Sequence, residues 1–291
     1  MNTAMEHGTA RGHASRDWWD LARRVKDDVA ADNVSMIAGG AAFFGLLALF
    51  PALAAAVALY GLFTDPAGIS SQLGALTGVV PDEARGVLLE QLQRISAAGD
   101  RSLGIGAAVA LLLALWSAAK GVKSLMVALN VVYHERERRG FLKLNGTALL
   151  LTLTLLLVVP FALTAVAVLP ALIDRLPLPE IAAVAARWLR WPLLAVVVIG
   201  ANGMLYRFGP ARTRPRPKSP WPGAIVATVL WLAASALFSW YVSSFGSYEK
   251  TYGSVAAIAV IMMWFWLSTY AVLVGGEVNA ELEHEQTRRA A

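Results

Sequence analysis

Two lysines, Lys120 and Lys123, interrupt an apolar stretch that starts at Leu103 and resumes as Leu125-Met126-Val127-Ala128-Leu129. A charge at the centre of a membrane helix costs about 3 kcal/mol on insertion scales unless it is paired, hydrated or snorkelled. At helical spacing Ser117, Lys120, Ser124 and Val127 share a face, which Asn130 and His134 continue approximately. A continuous helix from Leu103 to Tyr133 would be about 46 Å long, against a hydrocarbon core of roughly 30 Å. The lysines would then sit about 25–30 Å from its outer end, near the inner boundary. Two readings stand: the lysines snorkel to the interface, or with Asn130 they form an anion-binding site facing a hydrated cavity.

Other polar residues interrupt apolar sequence more lightly. Asn202 suits an interhelical hydrogen bond. Glu249 and Lys250 occupy a short turn before the last apolar run, where Tyr248, Thr251 and Tyr252 give it the chemistry of an interfacial belt. Glu277 and Asn279 close that run. With Asn202, Glu249, Lys250 and Tyr252 they are candidate structural or gating residues.

Enzyme chemistry is poorly supplied. Cysteine is absent, so no thiolate nucleophile or Cys-ligated metal exists. His7 and His13 lie in a polar N-terminus, and His134 and His284 fall at helix ends. Only His284, with Glu281 and Glu285, has neighbours at ligand spacing, and these read as a solvated terminal face. No GxGxxG, GxxxxGK[ST] or GxSxG is present. The expectation is a protein that is not an enzyme, holding no cofactor and no metal.

The elements carrying these residues follow from composition. Of 291 residues, 57% are apolar and 15% charged, a balance foreign to soluble globules. Mean hydropathy is +0.56. Apolar runs at 34–62, 103–133, about 145–173, about 186–206, 222–242 and 253–276 predict an all-α bundle of six transmembrane helices. None alternates with period two, which excludes a β-barrel reading. Ala52-Leu53-Ala54 lies too deep inside the first run to be a signal-peptide cleavage site. Pro51, Pro160 and Pro170 would kink their helices, and Gly39-Gly40 would permit close packing or a cavity.

Lysine and arginine set the orientation. Eighteen fall in the N-terminal segment, residues 120–143, residues 207–218 and the C-terminus, against seven in the alternate loops. Both termini are therefore expected in the cytoplasm. This bias also accounts for the net charge of +5 without nucleic acid as a partner. Before the first span, a helix capped by Ser15 would carry Trp18, Leu21, Ala22, Val25 and Val29 on one face. In the first outer loop, residues 69–80 and a helix begun by Pro81 are amphipathic, the latter through Ala84, Val87, Leu88, Leu92 and Ile95. The organisation reads as a cytoplasmic segment (1–33), a six-helix domain (34–283) and a short tail (284–291).

Several blocks resemble the YihY/BrkB family of bacterial integral membrane proteins, historically also called ribonuclease BN. The resemblance spans about residues 33 to 283. It rests on Ala41-Ala42-Phe43-Phe44-Gly45 through Phe50-Pro51, on Ala128-Leu129-Asn130-Val131-Val132-Tyr133 before Arg136, Arg138 and Arg139, and above all on residues 241–283. Within that last block the Tyr252-Gly253-Ser254 turn, the stretch from Trp264 to Tyr270 and the Gly276-Glu277-Val278-Asn279 end are distinctive in combination. Many members resemble GAE where this chain has Gly275-Gly276-Glu277. The resemblance implies a six-helix inner-membrane protein suspected of transport or envelope support, with no settled substrate. Two functions are compatible with it: a translocator of lipid or an anionic solute, or a non-transporting scaffold that holds envelope protein partners through the first outer loop. The ribonuclease label finds no site in these residues.

Overall fold

A computed structural model describes residues 6–63, 103–173, 180–212, 219–244 and 254–290. These residues form seven helices and no strand: α1 (Glu6–Ala31), α2 (Val34–Phe63), α3 (Leu103–Val132), α4 (Phe141–Ile173), α5 (Glu180–Phe208), α6 (Trp221–Ser244) and α7 (Ser254–Ala290). Among the described residues five segments are long and apolar enough to cross a membrane: Val34–Ala56, Ala108–Val132, Phe141–Val158, Trp221–Val242 and Ile258–Gln286. Pro192–Phe208 in α5 is a shorter apolar stretch. Large apolar side chains such as Phe50, Leu112, Leu113, Leu237 and Trp240 are exposed on these helices, as lipid-facing positions would be. The two amphipathic segments of the first outer loop, and Glu249, Lys250 and Tyr252, lie outside the described residues.

The helix ends have identifiable causes. Asn33 sits in the left-handed region (φ 52°), closing α1, while its carbonyl accepts the Met36 and Ile37 amides at 2.9 and 3.2 Å to start α2. His134 occupies the same region (φ 51°) after α3. Its amide bonds to Val131 and that of Glu135 to Asn130, both at 2.8 Å, which is the Schellman pattern with histidine where glycine is usual. α1 begins at Glu6, so Ser15 lies inside the helix and not at its start. Leu21 and Val25 are buried as the apolar stripe requires, but Trp18 and Trp19 are largely exposed. α7 continues well past Gly276, carrying Glu277 through His284 on regular helix.

The chain divides into two compact units interleaved in sequence. One contains residues 1–43, 125–139 and 194–291, the other residues 44–124 and 140–193. In the first unit α6 and α7 approach backbone to backbone. A Cβ added at Gly275 would meet the Gly223 carbonyl, Ala227 Cβ and Tyr206 Oη, the last two at 2.6 Å, and one at Gly223 would run into the Gly275 carbonyl. In the second unit α2 and α3 touch where a Cβ on Gly121 would lie 2.7 Å from Ala48 Cβ. Such small-residue seams let membrane helices gain dispersion contacts that lipid would otherwise supply. Gly39 and Gly40 are not pinched: a Cβ at Gly39 would meet Trp266 at an ordinary 3.9 Å, and nothing lies within 4 Å of one at Gly40.

Candidate functional site

In the first unit the start of α2, the ends of α3, α5 and α7, the start of α6 and the amphipathic α1 gather their polar side chains at one end. Asn279 reaches from α7 to the beginning of α6, where its Oδ1 accepts the Gly223 amide at 2.8 Å and its Nδ2 donates to the Pro220 carbonyl at 3.0 Å. It satisfies one of the orphan amides of a helix N-terminus from a neighbouring helix. Asn202 donates to Thr228 Oγ1 at 3.4 Å, joining α5 to α6. Tyr206 donates its hydroxyl to the Val272 carbonyl at 2.6 Å, joining α5 to α7.

Asn130 also has its amide spoken for. Its Nδ2 donates to Glu137 at 3.0 Å, and its Oδ1 accepts the Ala211 amide at 2.7 Å. Glu137 in turn takes both Nε and Nη2 of Arg139, at 2.8 and 2.7 Å, and Arg139 caps the end of α5 through the carbonyls of Phe208 and Gly209. The Arg139 hydrogen bonds hold the Glu137 carboxyl at about 2, well below the usual range. Arg212 pairs with Glu283, donates to the Tyr206 carbonyl at 3.1 Å, and lies over the Tyr133 ring at 4.5 Å. Burial pushes the Tyr133 phenol up, so it stays neutral beneath that guanidinium.

α1 closes this end with a second set of charges. Arg24 pairs with Glu281 and lies 3.8 Å from Glu285. His284 Nδ1 is 3.8 Å from Glu281, and His134 Nε2 is 3.7 Å from Asp32. The expected solvated face at His284, Glu281 and Glu285 is therefore not solvated throughout: Glu281 is buried beneath α1. Burial, followed by the nearby Glu281 charge, raises the Asp28 carboxyl above its ordinary value. Glu277 is 1% exposed, and neither of its carboxyl oxygens has a hydrogen-bond donor among the described residues. Asp32 is the group within hydrogen-bonding reach of it, with Asp28 and Glu281 as further charged neighbours.

The paired lysines belong to the other unit. Lys120 is exposed, whereas Lys123 is half-buried and donates to Asn145 Oδ1 of α4 at 3.1 Å. Asn145 is oriented by donating its own Nδ2 to the Phe141 carbonyl at 2.8 Å. Among the described residues no carboxylate pairs with either lysine. The candidates Lys120, Lys123 and Asn130 are thus divided: the lysines keep chemistry to spare, while Asn130 is consumed in holding two chain segments after α3 and α5. Asp32, Arg24 and Asn145 were not singled out from sequence.

Residues 25–291 match the family described as Virulence factor BrkB. The chain is 33% identical over 254 residues to the ribonuclease-like protein YfkH of Bacillus subtilis, covering 83% of this chain and 87% of that one. It is 28% identical to the UPF0761 membrane protein PSHAa0171 of Pseudoalteromonas translucida, over 92% of this chain and 86% of the relative. It is 27% identical to the UPF0761 membrane protein VV1_0885 of Vibrio vulnificus, over 89% and 81% respectively. No solved structure matches the chain. With its helices, its apolar spans and nearly its whole length accounted for in this way, the chain belongs to the BrkB family of membrane proteins.

Proposed function

We propose that this protein is a translocator of an anionic solute or lipid in the bacterial inner membrane, with six spans, α5 among them, and both termini in the cytoplasm. The observation that carries the reading is Lys123. It lies inside the span Ala108–Val132, about 14 Å along the helix from its end, and its ammonium is oriented by a neutral amide, with no carboxylate paired to it among the described residues. Residues beyond it, Met126, Ala128 and Leu129, are buried in protein, so the lysine does not sit on a fraying interfacial turn. A scaffold that only anchors partners has no use for an unneutralised amine at that position, because its desolvation is a standing cost. Bound to a phosphate or carboxylate head group, the amine recovers that cost. Lys120, one turn earlier and exposed, supplies a second charge where a ligand would enter.

Proteoliposomes containing the full chain test the reading. Wild-type protein should move a fluorescent anionic phospholipid, or a small organic anion, faster than protein-free vesicles do, and the Lys120→Gln/Lys123→Gln variant should not. Equal rates for wild type and variant contradict it. The same reading makes the protein no ribonuclease. Protein freed of contaminating nucleases should leave RNA intact with or without divalent metal, whereas cleavage lost in His134→Ala or Glu277→Ala would contradict this.

A further inference from the structure

Among the described residues at the charged end of the first unit, Glu277 is a buried carboxyl with neither oxygen hydrogen-bonded. Its neighbours are anionic or already committed. Asp32 lies within hydrogen-bonding reach, and Asp28 and Glu281 add negative charge. Arg24 of α1 pairs with Glu281 and lies 3.8 Å from Glu285. Of the two imidazoles, His134 faces Asp32 through Oδ1 at 3.7 Å, and His284 faces Glu281 at 3.8 Å. Both Glu277 oxygens and Asp32 Oδ2 are buried without a donor. Two carboxylates packed together, with an imidazole reaching only the other oxygen of one of them, repel each other strongly when both are charged. A single positive charge between them relieves that repulsion.

We propose that Glu277 and Asp32 form a proton-binding site, a carboxyl–carboxylate pair that shares one proton between the last membrane helix and the end of α1. The proton makes one carboxyl a donor to the other, so that a pair of buried anions becomes a singly charged, hydrogen-bonded unit. A divalent metal is a poorer occupant, because among the described residues no three His, Asp or Glu side chains converge to ligate one. His134 gives the pair an outlet, since its imidazole touches Asp32 and is itself exposed, so a proton can pass from Asp32 toward solvent. The site does not depend on the lysines or on any transported solute. It identifies a place where the protein can take up and release a proton whatever the lysines bind.

Infrared difference spectroscopy on the full chain in nanodiscs reads the proton directly, because a protonated carboxyl has a C=O stretch that a carboxylate lacks. At pH 7, wild type minus Glu277→Gln should show one such band, and the band should titrate away as pH rises. Asp32→Asn, which leaves the membrane span untouched, replaces the repelling anion by an amide donor, so the remaining carboxyl should lose its proton at a pH lower by about one unit or more. Absence of the band at pH 7, or an Asp32→Asn titration superimposable on wild type, overturns the pair. Replacing choline by sodium at constant pH and ionic strength should leave the band unchanged. Its loss on adding sodium would assign the site to a metal cation instead and overturn the proton. If Glu277→Gln fails to insert, wild type against Asp32→Asn supplies both comparisons.

Discussion

The charged end of the first unit and the lysine face of the second are built from the same kinds of side chain, amides and long cations on apolar helices, yet they are arranged to opposite effect. At the charged end each amide closes a circuit. Asn130 bridges Glu137 and the Ala211 amide, Asn279 bridges Pro220 and Gly223, and Arg139 bridges a carboxylate and two carbonyls. On the lysine face the one circuit, Lys123 to Asn145 to the Phe141 carbonyl, ends on a positive charge that nothing described neutralises. Satisfied polar networks rigidify and specify a fold, whereas an oriented charge without a described counter-ion is what the proposed anion site requires. Residue type alone does not separate the two cases; the partner does.

Breaking the first region should therefore cost stability. The largest effect is expected from Gly275→Leu, because any side chain there collides with the Gly223 carbonyl and Ala227 and separates α6 from α7. A loss of about 3 kcal/mol should appear as aggregation in size-exclusion chromatography. Asn130→Ala comes next. It strands the buried Ala211 amide and removes one Glu137 partner, and should cost about 1–3 kcal/mol, visible as a lowered Tm in detergent.

A smaller effect is expected from acid. Arg139 holds the Glu137 carboxyl below its ordinary 4.5, at about 2, so the clip contributes its stability in full above pH 4.5 and loses it as pH falls toward 2. The Tm of wild type should fall toward that of Glu137→Gln across this window. A constant gap between the two would deny the clip its charge. The smallest effect is expected from Lys123→Gln, which should alter Tm by less than about 0.5 kcal/mol equivalent. A large drop there would turn the lysine face into another structural circuit and erase the contrast.

Much of this architecture is legible in the sequence, because the bilayer imposes a length and a polarity that apolar runs display without reference to any partner. The described helices fall on those runs, most with ends shifted by a few residues and α7 running on to Ala290, and His134 ends α3 close to where the apolar pattern stops. What depends on distant partners is not legible. Asn130 looks like a ligand because it shares a face with the lysines, but its partners include Ala211, eighty-one residues away. Glu281 looks solvated because α1, which covers it with Arg24, lies at the other end of the chain. Gly39-Gly40 is the conspicuous glycine pair, yet the tight backbone approaches fall at Gly121, Gly223 and Gly275, where the facing helix decides. Glu277 attracts attention in sequence as a charge ending an apolar run, but only the fold brings Asp32 to it.

The claim that the lysine face does the work while the charged end holds the frame is tested most directly by complementation. Cells lacking the protein would receive wild type, Lys120→Gln/Lys123→Gln, or Lys120→Arg/Lys123→Arg, at membrane levels matched by immunoblot. The glutamine variant should insert normally and fail to restore growth under envelope stress. The arginine variant should restore it in part, since the charge survives while the geometry of a single ammonium does not. Full restoration by the glutamine variant would contradict the account.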